Sequence, residues 1–134
     1  MNRALDTAAE ITDEFSFLDD WEDRYQHLID LGRKLPPLDA QYKSEEFRLR
    51  GCQSVVHFAA EQKDDEIVFH AGSDAAIVQG LIALLIRVYS GRTAEEIRET
   101  EAHFLTDIGL DSHLSATRKT GLASMLTAIK AAAQ

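Results

Sequence analysis

The sequence predicts an α+β fold, a small antiparallel sheet of about three strands packed with flanking helices. Two observations carry this reading. Val55, Val56 and Phe58 form a β-branched and aromatic run, and Ile67-Val68-Phe69 forms a second one just beyond Lys63-Asp64-Asp65, as in a hairpin. Before and after that pair, apolar residues recur at helical spacing. A chain of 134 residues fits one domain covering 1-134, with residues 1-17 as an N-terminal extension helix packing on it.

The first helix is expected over Thr7 to Phe17, where Ile11, Phe15 and Leu18 alternate with acids. Asp19 or Asp20 should cap a second helix whose stripe is Trp21, Tyr25, Leu28, Ile29 and Gly32. Gly32 and Leu35-Pro36-Pro37 should end it, because proline lacks a backbone donor and holds its predecessor extended. A polar loop to about Glu46 and a short strand around Phe47 to Arg50 come next. On the hairpin Val56, Phe58 and Ala60 share one face, and Ile67 and Phe69 oppose Val68 and His70. Ser73 or Asp74 is expected to cap a helix that is apolar nearly all round, from Ile77 to Val88, and Gly91 to stop it. Thr93-Ala94-Glu95-Glu96 spells a capping box for a short polar helix to about Thr100. A final helix starts near Ser115 with Leu122, Met125, Leu126 and Ile129 facing inward.

With 14 basic and 23 acidic side chains the chain has a formal charge of −9, which repels phosphate backbones and leaves no footprint for nucleic acid. The longest apolar-rich stretch, Ala75 to Ile86, is broken by Gln79 and Gly80 and falls short of the roughly 20 residues of a membrane span. The start, Met1-Asn2-Arg3-Ala4-Leu5-Asp6, has no secretory pattern, so a cytoplasmic location is expected. One cysteine, Cys52, makes no internal disulfide and supplies too few thiolates for a zinc or iron–sulfur site.

A lone cysteine is most often a small buried hydrophobe. Three neighbours argue otherwise for Cys52. Gly51 frees the backbone before it for a tight turn, Arg48 and Arg50 are positive in an otherwise acidic chain and should favour the thiolate, and Gln53 and Ser54 add uncharged hydrogen-bonding groups. A reactive cysteine in the turn leading into the first hairpin strand is the expectation.

Gly51-Cys52-Gln53-Ser54-Val55-Val56 resembles the GCQSxV motif of the SufE-like sulfur acceptor proteins, including their CsdE relatives. Trp21-Glu22-Asp23-Arg24-Tyr25, Leu28-Ile29-Asp30-Leu31-Gly32, Leu35-Pro36, Ser73-Asp74-Ala75-Ala76-Ile77-Val78, Gly80-Leu81, Leu114-Ser115-Ala116-Thr117-Arg118 and Gly121-Leu122 resemble further family segments in the same order. The likeness runs from about Leu18 onward. It implies a fold like the IscU-type cluster scaffolds without their three-cysteine ligand set, and Cys52 as carrier of a persulfide. It further implies a pyridoxal-phosphate cysteine desulfurase as partner, SufS- or CsdA-like, whose turnover the chain stimulates. The sulfur would pass to a downstream acceptor or cluster scaffold in iron–sulfur assembly. The chain itself would bind no cofactor, and a homodimer stays open. Thr120 stands where asparagine or another polar residue precedes the glycine, and His57 where the family commonly has tryptophan; the His57 departure bears on the packing beside the active loop and on which desulfurase is paired, not on the thiol.

Asp74 has a ready role as a helix N-terminal carboxylate, with a second one near the Cys52 loop as an alternative. Arg118 is either a solvated helix residue or a contact for the partner or for an anionic persulfide. Two rival functions remain at this stage. One is a non-catalytic interaction module with a structural Cys52. The other is a thiol hydrolase pairing Cys52 with His57, which needs ring and sulfur within hydrogen-bond reach. His27 and His70 read as satisfied polar groups, and His103 and His113 as turn residues without a third metal ligand. The Gly51-Cys52 loop is expected to move, because the sulfur must enter a partner's active site and then be shielded from reductants.

Overall fold

The computed structural model describes residues 1–134. Helix α1 (Arg3–Ser16) is followed by α2 (Trp21–Lys34) and by two 3₁₀ turns, Ala40–Tyr42 and Glu45–Phe47. Strands β1 (Val56–Lys63) and β2 (Glu66–Ser73) lead into α3 (Ala76–Tyr89), and β3 (Arg92–Thr93) leads into α4 (Ala94–Glu99). Short helices α5 (His103–Asp107) and α6 (Leu110–His113) precede the terminal α7 (Ala116–Ala132). The architecture is α+β, with an antiparallel sheet in the order β1-β2-β3.

The hairpin register places Phe58 opposite Ala71 and Ala60 opposite Phe69, with Asp64 in the left-handed region at its turn. Ile67, Phe69 and Ala71 are buried on the inner face, where the Phe58 and Phe69 rings lie 5.4 Å apart. On the outer face Tyr42 stacks on His70 at 4.5 Å, and Glu61 holds the same imidazole at 2.9 Å. The third strand is not the predicted segment 47–50. There the chain makes only an isolated bridge, Arg48 to His57, and one bond from Leu49 N–H to the Val56 carbonyl, because the 3₁₀ turn ending at Phe47 leaves too little extended chain to pair. β3 fills the place beside β2 instead.

α3 is the central buried helix, from Ile77 to Tyr89. Its crossing with α2 is set by two glycines. A Cβ on Gly80 would fall on the Leu28 carbonyl, and one on Gly32 would stand 2.7 Å from the Gly80 nitrogen, so the two backbones touch. Gly32 therefore makes an interhelix contact, and Leu35 caps the helix. The predicted cap of α3 is also corrected: the N-cap is Ala75, Asp74 is exposed, and the Ser73 hydroxyl accepts from Ala75 N–H one residue too early to serve the helix. Asp20 and the Thr93/Glu96 capping box cap α2 and α4 as the sequence predicts, and Ser115, near which the sequence predicts the last helix to start, is the N-cap of α7.

α1 begins four residues earlier than expected because Asn2 accepts from the amides of Ala4 and Leu5. It buries Ala4, Ala8, Ile11 and Phe15 and is pinned at both ends. Arg3 donates to Glu96, whose carboxyl is held well below the usual carboxylate range by that guanidinium. Glu14 binds His27 at 2.7 Å and Arg87 at 3.1 Å; burial alone would raise its pKa, but those two partners outweigh it and the carboxyl titrates low. No helix is long and apolar enough to cross a membrane.

Candidate functional site

Residues 50–55 form a loop pinched at its base by the Leu49–Val56 hydrogen bond and the Arg48–His57 bridge. Gly51 takes φ +87°, a backbone that L side chains rarely adopt, and any Cβ there would also strike the Ser124 hydroxyl of α7. That twist turns Cys52 toward the molecule. The thiol is half-buried and is the chain's single cysteine. Its Sγ donates across a long 3.8 Å contact to the carbonyl of Gly121 in α7.

Cys52 opens on a cleft of about 430 Å³. Val56, Val78, Leu81, Leu122 and Met125 make its apolar floor, and Gln53, Ser54, Ser115, Thr117 and Arg118 its polar rim. β1, the first turns of α3 and the first half of α7 thus meet at one sulfur. The backbone of α7 passes close by at Gly121, where a Cβ would lie 3.5 Å from Sγ, in ordinary van der Waals contact. A glycine costs a helix interior about 1 kcal/mol relative to alanine. That oddity in an Ala-rich helix is the sequence signal that could have marked Gly121, which the sequence reading placed only in a family-like segment.

Burial raises the pKa of the Cys52 thiol, and the nearby Arg48 guanidinium lowers it only in part. Arg48 thus favours the thiolate as the sequence suggests, but in the resting loop desolvation outweighs the cation. Leaving the cleft would remove the desolvation and release the proton more readily.

Of the residues singled out from the sequence, Cys52, Gln53, Ser54 and Arg118 line one cleft, and Gly51 shapes its loop. Arg118 Nη1 donates to the Tyr25 hydroxyl at 3.2 Å, a tether to α2 that sequence spacing did not reveal. Arg50 is exposed beside the loop. Asp74 lies elsewhere, in a separate groove with Lys43, Gln79 and His57. A Cys52–His57 dyad is accordingly not assembled: the imidazole faces that other groove, and the sulfur's partner is the Gly121 carbonyl. His113 ends α6 and stacks on Trp21 at 4.3 Å, so it is a helical packing group and no turn residue. His, Cys, Asp and Glu side chains are nowhere gathered in threes that could hold a metal ion.

The SufE family model, described as an Fe-S metabolism associated domain, matches residues 9–133. The chain is 40% identical over 130 residues to an uncharacterized SufE-like protein of Rhizobium meliloti, covering 93% of each. It is also 40% identical over 126 residues to an uncharacterized SufE-like protein of Rhizobium etli, covering 90% of this chain and 85% of that one. In three dimensions it is similar to the solution structure of a hypothetical protein from Thermus thermophilus, with a TM-score of 0.77 over 95% of this chain and 93% of the other. At 22% identity that last likeness bears on the fold alone.

Proposed function

Since the chain belongs to the SufE family, a domain associated with iron–sulfur metabolism, we propose that Cys52 accepts persulfide sulfur from a pyridoxal-phosphate cysteine desulfurase and relays it toward cluster assembly. The observation that carries this reading is the seat of the sulfur. It is neither sealed in the core nor fixed in a hydrogen-bonded array, but rests by one 3.8 Å contact on Gly121 at the edge of an open cleft. A structural cysteine would be packed on all sides, which disfavours the interaction-module alternative.

The step needs no outside oxidant. The Cys52 thiolate attacks the outer sulfur of the donor's cysteine persulfide, a new S–S bond forms to Cys52, and the donor's own S–S bond breaks so that its cysteine leaves as a thiolate. The proton lost by Cys52 is available to that leaving sulfur. Gly51, free to change its φ, is the hinge on which residues 52–54 swing toward the donor. After the return swing the apolar floor shields the persulfide from water and reductants. Pyridoxal phosphate belongs to the partner, and this chain acts by clearing the partner's cysteine, in the cytoplasm.

Mass spectrometry after incubation with a SufS- or CsdA-like desulfurase, pyridoxal phosphate and cysteine tests the proposal. One sulfur atom should be added at Cys52, removable by a thiol reductant, with faster desulfuration. Cys52→Ser should abolish both while the fold persists. If Cys52→Ser stimulates the desulfurase as well as the wild type does, the acceptor mechanism is wrong.

A further inference from the structure

Gly121 and Ser124 stand three positions apart in α7, so they share one face of the helix. Both meet the Cys52 loop. Gly121 takes the long Sγ contact through its carbonyl, the only hydrogen bond between residues 50–55 and α7. Ser124 stands under Gly51: a Cβ there would lie 2.5 Å from the Ser124 hydroxyl and 3.5 Å from the Ser124 Cβ, and apart from the flanking residues no other atom comes within 4 Å of that point. The hydroxyl is nearer than its own Cβ, so it points at the loop. It is also unspent. Thr120 and Thr127, its neighbours along α7, donate to the Ala116 and Ala123 carbonyls at 3.0 and 2.9 Å, whereas the half-buried Ser124 hydroxyl makes no such bond to the helix.

Gly51, at φ +87°, is the point about which the loop turns, so whatever lies beneath it sets the height at which the turn rests. That height decides where Sγ lands on α7. With the hydroxyl gone the tip would be held to the helix by one long sulfur contact, and a larger side chain would lift Gly51 away. We propose that Ser124 is a positioning residue for sulfur transfer: its hydroxyl, wedged against Gly51, seats the loop with Cys52 on Gly121, and so sets how readily the sulfur leaves for the donor and how well a loaded sulfur is shielded on return. The consequence for transfer rests on the acceptor reading given above, whereas the seating of the thiol does not. A loop that opens locally at lower cost exposes its thiol more of the time. Weakening the seat should therefore speed loading and shorten the life of the loaded persulfide.

The test is Ser124→Ala, which removes only the hydroxyl and raises intrinsic helix propensity, so α7 is not weakened and the thermal midpoint should hold or rise. Iodoacetamide should nonetheless alkylate Cys52 severalfold faster, and the amides of residues 51–54 should exchange faster. The pH midpoint of alkylation should fall toward that of a cysteine peptide, because an unseated thiol is less desolvated. Ser124→Leu, also a good helix former, should shift all three in the same direction by displacing Gly51 without leaving a void. Thr127→Ala is the control: its hydroxyl is spent on the Ala123 carbonyl, and its loss should leave the thiol unchanged. With a desulfurase, pyridoxal phosphate and cysteine, Ser124→Ala should load sulfur faster and lose it severalfold sooner to dithiothreitol, while the desulfurase keeps its KM for cysteine. Alkylation, midpoint and exchange at wild-type values would overturn the proposal whatever the sulfur assay gives, and so would loading and loss equal to the wild type in a variant whose thiol is unseated. If the thiol is unseated as expected but neither wild type nor variant takes sulfur, the acceptor reading falls and the seating of the loop by Ser124 stands.

Discussion

Burial and a cation pull the Cys52 proton in opposite directions, and burial wins. An unfolded cysteine ionises near 8.5, so a raised value in the fold means that thiolate appears only at higher pH than in a free thiol. The rate of alkylation by iodoacetamide against pH should therefore have a midpoint above that of a cysteine peptide. In Arg48→Gln the midpoint should move further up, because the one favourable charge is gone. A wild-type midpoint at or below the peptide's would contradict the seat of the sulfur described above. The sequence shows Arg48 and Arg50 beside the thiol, and it shows Gly51 as the residue that lets the chain turn. It does not show the wall: Gly121 is 69 residues away, and nothing in a local pattern states that α7 will cover the loop. Residue chemistry was legible here, while its sign depended on tertiary contact.

Helix propensity and steric contact make opposite claims about Gly80. Alanine in a helix interior gains about 1 kcal/mol over glycine, so Gly80→Ala should stabilise if α3 stood alone. Against α2 the added methyl would land on the Leu28 carbonyl, and overpacking of a tight contact costs about 1–3 kcal/mol with backbone shifts. Gly80→Ala should lower the urea midpoint by an amount worth about 2 kcal/mol. A rise would mean that the helices separate without penalty. The same contact explains why Gly32 is easy to misread: a glycine near a Leu-Pro-Pro sequence looks like a terminator, and only the partner helix reveals its use. Elements long enough to show a period, α2, α3, α7 and the hairpin, are legible from the sequence, as is the Thr93/Glu96 capping box. β3 has two residues, and α5 and α6 have five and four, too few for any period to register.

Across the whole molecule, α1 and the Cys52 cleft lie at different parts of α3. Glu14 of α1 reaches Arg87 in the last turn of that helix, whereas the cleft uses Val78 and Leu81 near its start. No residue of α1 lines the cleft. Stability and site should then be separable by substitution in α1. Phe15 is 1% exposed and packs edge-on against His27 at 5.0 Å, so Phe15→Ala should cost about 3–5 kcal/mol through lost burial and the cavity left behind. Set against a typical total of roughly 5–15 kcal/mol, that is a large fraction, and the thermal midpoint should fall accordingly. Far below that midpoint, the alkylation rate of Cys52 should match the wild type. A proportional loss of thiol reactivity in the folded variant would show instead that α3 transmits strain from one end to the other. The separation would then be geometric only, and α1 would belong to the working part of the molecule.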